Sequence, residues 1–397
     1  MKIIGLMSGT SLDGIDAALL DISRSRGKLK LNLLSFETYP YSSKLREKLL
    51  DVAEGNETTA LIAHLNFYLG ELFADASFKI VSRSKTSMSK IDLIGSHGQT
   101  IWHSPTRIHE GSFKIHSTFQ IGDPSVIAVR TGVTTVGDFR VADIAAGGEG
   151  APIAPYFHHA LVRKDGKSRL IINIGGISNV TFLPFSKNAE VLAFDTGPGN
   201  MLLDGLAQLG SDGREKMDLN GRIAGKGKIH LRLLADLMTH PFILRVPPKS
   251  TGRETFGLPM VDYILEKSVP YQISFEDLMA TVTAFTSSSI YMNCDKFILS
   301  KYKVDQIVIG GGGVRNKTLM SLLKRAFYPV PIIQFEELGY DSKAIEAMAF
   351  ALFAHDSFAG IPDNIPSVTG AKMGVIMGKI CPGKNYKKMM EKLNRGR

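Results

Sequence analysis

Lys2-Ile-Ile-Gly-Leu-Met-Ser-Gly-Thr-Ser-Leu-Asp-Gly-Ile-Asp-Ala-Ala-Leu-Leu-Asp-Ile22 decides how this chain is read. The apolar run Lys2–Met7 predicts a strand, Ser8–Gly14 a tight turn, and Ile15–Ile22 a second strand running straight back. Leu29–Tyr39 continues as a third. The glycine-rich turn therefore joins strand to strand, whereas a doubly wound dinucleotide-binding unit opens with strand, G-x-G-x-x-G and helix. Nor does the chain contain G-x-x-x-x-G-K-[ST], which argues against a P-loop enzyme.

The second half repeats the order. Arg169–Ile174 reads as a strand, Gly175–Gly176 as a turn, and Ile177–Leu183 and Val191–Asp195 as further strands. In the first half, helices follow at about 43–54 and 59–84, then a buried strand at 91–96. In the second, a helix opens near Asn200, another spans about 275–292, a strand covers 306–309, and helices follow at 317–326 and 342–355. Three meandering strands, then helices and more strands, twice over, is a duplication of topology without a visible sequence repeat. The expected fold class is α/β: a duplicated actin-like (ribonuclease H-like) two-lobed fold with an ATP cleft between the lobes. The expected lobes are 1–135 with 366–397, and 136–365.

The bulk properties are compatible with this. A chain of 397 residues exceeds one ordinary core and suits two domains. Hydrophobic residues at 44% and charged residues at 21% are ordinary for a globular protein. No apolar run approaches the roughly 18 residues that span a bilayer, and Met1–Gly14 reads as strand and turn rather than a signal peptide. The two cysteines, Cys294 and Cys381, suggest neither a disulfide framework nor a thiolate metal site, so a reducing cytoplasm is the expected location. The net charge of +9 is dispersed except in the tail after Lys384, which reads as a charged terminal helix or frayed end rather than a nucleic-acid arm. Neither nucleic acid nor membrane is expected as a partner.

The glycines cluster where apolar runs end, and there backbone amides come close to phosphates. Gly9, Thr10, Ser11, Leu12, Asp13, Gly14, Ile15 and Asp16 form one candidate phosphate turn, with Asp13 or Asp16 able to hold Mg²⁺ through water; a plain hairpin loop is the alternative. Asp195-Thr-Gly-Pro-Gly-Asn200 places a carboxylate at a strand end beside a glycine turn that opens a helix. A single Asp that deprotonates a nucleophile is the least a phosphoryl transferase needs, and helix capping is the competing role. Ile309-Gly-Gly-Gly-Gly-Val-Arg-Asn316 offers bare backbone to a base and ribose, with Asn316 as a polar contact. His97 and Gln99, after a buried strand, suit sugar hydroxyls or a satisfied core; their spacing, with His103, His158 and His159, matches no zinc pattern. Arg140 suits a bidentate grip on a carboxylate or phosphate, or a structural pair with a neighbouring Asp.

These segments together resemble the anhydro-N-acetylmuramic acid kinase family. The resemblance is carried by Gly5-Leu-Met-Ser-Gly-Thr-Ser-Leu-Asp-Gly14, His97-Gly-Gln-Thr100, Gln120-Ile-Gly-Asp123, Asp138-Phe-Arg-Val-Ala-Asp143, Gly150-Ala-Pro152, Asn173-Ile-Gly-Gly-Ile-Ser-Asn179, Phe194-Asp-Thr-Gly-Pro-Gly-Asn200, Lys249-Ser-Thr-Gly-Arg-Glu254, Gly310-Gly-Gly-Gly-Val-Arg-Asn316, Glu346-Ala347 and Thr369-Gly-Ala371. It implies the hexokinase–actin fold and an ATP- and Mg²⁺-dependent reaction in which water opens 1,6-anhydro-N-acetylmuramic acid and O6 is phosphorylated. By position, Asp195 matches the general base, Arg140 and Glu346 the sugar contacts, and Gly9–Asp16 the phosphate turn; Gly175, Gly197, Gly311 and Gly312 complete the expected nucleotide contacts. A homodimer is implied as well. Glu149 stands where the family usually has Gln, and Gly257 where it usually has Asn. Two other readings remain at this level: a levoglucosan kinase, and a non-catalytic actin-like protein switched by ATP.

Overall fold

The computed structural model describes residues 1–9, 11–25, 28–55, 57–162, 166–186 and 189–395. Thr10, assigned above to the phosphate turn, lies outside the described residues, as does the end of the basic tail. In chain order the strands of the first half are β1 (Lys2–Ser8), β2 (Gly14–Ser25), β3 (Lys28–Pro40), β4 (Leu93–Glu110), β5 (Phe113–Ile121) and β6 (Thr135–Gly137). Those that follow are β7 (Arg169–Ile174), β8 (Ile177–Leu183), β9 (Leu192–Pro198), β10 (Gln306–Gly310), β11 (Ile332–Gln334) and β12 (Lys379–Cys381).

The chain forms two compact units, Met1–Leu161 with Lys343–Arg397, and Val162–Ser342. In the first, the sheet order is β12-β6-β4-β1-β2-β3, with β5 added on β4. β1, β2 and β3 are antiparallel neighbours, and β4 and then β6 run parallel outward from β1. In the second, the order is β11-β10-β7-β8-β9: β7, β8 and β9 are antiparallel, and β10 and then β11 run parallel outward from β7. Both units thus carry the same 3-2-1-4-5 order with the same strand directions. This is the duplication inferred from the sequence.

The boundaries differ from the expected 135 and 365, and packing explains why. Helix Ile345–Phe358 is buried along nearly its whole length, so it belongs where both its faces are covered. It lies against β1 and β4 at Gly5 and Gly95, where a Cβ would overlap the carbonyl oxygens of Ala347 and Phe350. Arg24 of β2 grips Asp356 of that helix through two hydrogen bonds, and Tyr156 donates a third at 2.7 Å. Asp143 is fully buried and accepts from Asn364 and Thr369, both at 2.7 Å. Residues 136–161 and 343–365 are thereby tied to the first sheet.

The strand reading of the sequence contains none of β5, β6, β11 and β12. β4 continues past the buried stretch to Glu110 and returns as β5, a ribbon whose His, Ser and Thr content masks its alternation. Among the described residues, no helix is long and apolar enough to cross a membrane. The basic tail is a helix, Tyr386–Arg395, docked by the buried Met389.

Candidate active site

In the first unit, the β1–β2 turn is braced from beneath. Ser8 Oγ lies 2.6 Å from Gln99 Oε1 and 2.9 Å from the Gly14 carbonyl, and Tyr41 donates to Ser8 at 3.0 Å. Gln99, fully buried, donates to the carbonyls of Gly9 and Thr100. Its amide is therefore committed to shaping the turn instead of reaching a sugar hydroxyl. Leu12 sits at φ +58° with its side chain buried, a left-handed conformation that a leucine adopts only where packing holds it. Arg46 steadies the rim through the Ser11 carbonyl and a 3.7 Å ion pair with Asp13.

The expected sugar residues gather in this unit as well. Arg140 donates Nε to His97 Nε2 at 3.0 Å and Nη1 to the Gly150 carbonyl at 2.8 Å. His97 Nδ1 lies 3.0 Å from the Gly98 carbonyl. Burial, then the Arg140 cation, holds the imidazole well below its ordinary pKa, so it stays neutral, accepting at Nε2 and donating at Nδ1. Both ring nitrogens are engaged within the protein, and the ring's task is to orient Arg140. Burial lowers Arg140 to about 10, against the pull of Glu346 and Asp143, so the guanidinium remains charged at neutral pH. Glu346 keeps access to solvent. The protein packed around it, followed by the Asp16 carboxylate, raises its pKa, and Arg140 opposes the rise; solvent screens part of this. Asp16 itself accepts from Thr38 at 2.5 Å. The expected Arg140–Asp patch thus separates: Asp143 is an internal strut, and Asp138 pairs with Lys379 at 2.8 Å.

In the second unit, β9 delivers Asp195 opposite Asn179 of β8. Asp195 Oδ2 accepts from the Thr251 amide at 2.9 Å and from Ser250 Oγ at 3.1 Å, and the Asp195 amide donates to the Lys249 carbonyl at 3.1 Å. No hydrogen bond to Oδ1 is present among the described residues. Burial raises the carboxyl to about 6, the two hydrogen bonds and Lys249 pulling the other way. At pH 7 it is ionised but basic enough to take a proton. Thr251 Oγ1 beside it is buried, with no hydrogen-bond partner among the described residues. Residues 249–254 belong to the family pattern with no task evident in the sequence, and only the fold brings Lys249, Ser250 and Thr251 onto β9.

The expected nucleotide glycines fall into two groups. Gly14, Gly197 and Gly311 have reasons inside the protein: a Cβ would strike Tyr39 O, Ile243 Cδ1 or Ile174 O, and Gly197 and Gly311 also sit at φ +137° and +86°. Gly9, Gly175 and Gly312 have none. Their nearest neighbours to a Cβ are at 3.9, 3.6 and 3.4 Å, with no left-handed backbone. Bare backbone that the protein's own packing does not require suits the close approach of a ligand. Asn316, expected at the ribose, caps helix Lys317–Ala326 by accepting from Leu319 at 3.0 Å. Among the described residues, no group of three or more His, Cys, Asp or Glu side chains is placed to hold a metal ion.

Two sheets with the same five-strand core, three antiparallel strands followed by two parallel ones (β4 and β6 in the first unit, β10 and β11 in the second), define the actin-like (ribonuclease H-like) class of fold. A model of the anhydro-N-acetylmuramic acid kinase family matches residues 1–383. The chain is 47% identical over 380 residues to the anhydro-N-acetylmuramic acid kinase of Caldanaerobacter subterraneus subsp. tengcongensis, covering 95% of this chain and 96% of that one. It is 44% identical to the enzyme of the same name from Bacillus cereus strain ZK / E33L, over 96% and 99%. Among solved structures, the (R)-2-hydroxyglutaryl-CoA dehydratase component A of Acidaminococcus fermentans aligns over 90% of this chain with a TM-score of 0.46 at 10% identity. The chain belongs to the anhydro-N-acetylmuramic acid kinase family, and it is a kinase that uses ATP.

Proposed function

We propose that the enzyme opens the 1,6-anhydro ring of 1,6-anhydro-N-acetylmuramic acid with water and phosphorylates O6 from ATP, yielding N-acetylmuramic acid 6-phosphate and ADP. The carrying observation is Asp195, an ionised carboxylate with a pKa near 6, one oxygen held by two donors and the other left open. In this reading Oδ1 takes a proton from water as the water oxygen bonds to C1. The C1–O6 bond breaks with its electron pair on O6; O6 bonds to the γ-phosphorus, and the bond to the β,γ-bridging oxygen breaks toward ADP. Phosphoryl transfer neutralises the alkoxide as it forms, so a separate strong acid is unnecessary.

Arg140, aimed by His97, presents a fixed guanidinium suited to the lactyl carboxylate, and Glu346 accepts from sugar hydroxyls. Within the first unit Gly9, and within the second Gly175 and Gly312, are the bare backbone positions suited to phosphate oxygens. Mg²⁺ accompanies ATP. Such ions use one or two carboxylates and otherwise water and phosphate oxygens, and Asp16 fits, because a cation beside it offsets its repulsion with Glu346. When bound, the ion supplies charge neutralisation at the phosphates. A cytoplasmic homodimer recycling cell-wall sugar completes the proposal.

The test is ADP release with a panel of anhydro and ordinary hexoses. Turnover with the muramic substrate and not with glucose is expected; a strong preference for levoglucosan overturns the substrate assignment. Asp195→Asn should lower kcat by about a thousandfold or more while ATP still binds. An unimpaired variant removes Asp195 as the base.

A further inference from the structure

Resting on Asp195 as the base, the geometry points to Ser250 as a positioning residue of the reaction, part of a clamp that dedicates one carboxylate oxygen to binding and leaves the other for proton transfer. Three successive residues grip Asp195. The Lys249 carbonyl takes its amide at 3.1 Å, Ser250 Oγ meets Oδ2 at 3.1 Å, and the Thr251 amide meets Oδ2 at 2.9 Å. A carboxylate held by one oxygen loses rotational freedom about χ2, and a fixed base reaches the transition state with less reorganisation.

The clamp is itself anchored in the core. Lys249 is only 5% exposed, and its ammonium donates to the carbonyls of Phe242 and Ile243 at 3.0 and 3.2 Å and to Asn293 Oδ1 at 2.6 Å. The other side of the Asn293 amide donates to the carbonyl of Thr196, the residue after Asp195, and to that of Ser289. One buried side chain on helix Phe275–Cys294 therefore ties the clamp segment to the strand that carries the base. Such a buried charge is costly unless fully bonded, and here each of its three acceptors also fixes position. Ser250 by contrast is exposed, so its replacement leaves this truss and the Thr251 bond in place.

The experiment measures the pH dependence of kcat/KM for 1,6-anhydro-N-acetylmuramic acid at saturating MgATP in wild type, Ser250→Ala, Ser250→Thr and Asp195→Asn, with thermal unfolding of each. The serine hydroxyl favours the ionised carboxylate, so Ser250→Ala should move the acidic limb upward by about one pH unit and lower plateau kcat severalfold. KM for ATP and the unfolding temperature should stay unchanged, and Ser250→Thr should restore both limb and plateau. If Asp195→Asn is inactive yet the Ser250→Ala limb does not move, the clamp is refuted and the base assignment stands. If Asp195→Asn keeps its turnover, the base assignment fails, and this inference with it.

Discussion

Asp195 carries a thermodynamic cost that matches its proposed task. Its carboxyl is raised from 3.8 to about 6 by burial, so the fold binds a proton more tightly than the unfolded chain does. A group raised in this way contributes stability below its unfolded pKa, and that contribution is lost as pH climbs through the folded value. At neutral pH the ionised side chain therefore strains the fold that holds it. Asp195→Asn should leave stability near that of wild type at pH 4 and raise it by about 1–2 kcal/mol at pH 7.5, read as a Tm difference that grows between those points. A Tm difference independent of pH would show that the carboxylate is not strained. The neutral His97 ring is a second choice made by environment. Its sequence position suits a sugar contact or a satisfied core equally, and in the fold the Gly98 carbonyl and Arg140 occupy its two nitrogens.

At the level of elements, glycine separates architecture from function. Gly5 and Gly95 let helix Ile345–Phe358 approach β1 and β4 so closely that no side chain fits between. Gly5→Ala or Gly95→Ala should destabilise the protein by about 2–3 kcal/mol, measured by denaturant unfolding, because the obstacle is backbone that cannot rotate aside. Gly9 occupies ordinary space at ordinary backbone angles. Gly9→Ala should unfold at the wild-type midpoint while KM for ATP rises about tenfold or more, the methyl standing where phosphate approaches an amide. If ATP affinity were unchanged, the turn would be a plain hairpin. The capping role of Asn316 belongs to this scale too, since an asparagine after a glycine run reads equally as a ligand contact or as the start of a helix.

For the whole molecule, the governing features are duplicated topology and a net charge of +9. A positive surface raises the encounter rate with anions, and salt screens it over about 8–10 Å at physiological strength. Raising ionic strength should lower kcat/KM for ATP and leave kcat untouched; a salt-independent kcat/KM would show that steering plays no part.

The three meandering strands of each half, the central strands β4 and β10 that follow them and the glycine turns were legible in the sequence, because alternation, apolar runs and turn chemistry are local properties of neighbouring residues; the short strands β6, β11 and β12 were not. Asp195, Arg140 and the Gly9 turn stood out for the same reason. The unit boundaries, the β4–β5 ribbon, the commitment of Gln99 and His97 to internal bonds and the Lys249–Asn293 anchor did not. The ribbon is local, and its polar content hides its alternation; the others depend on partners tens to hundreds of positions away, and whether a polar side chain faces a ligand or braces a neighbour is decided only when folding brings those partners within hydrogen-bond distance.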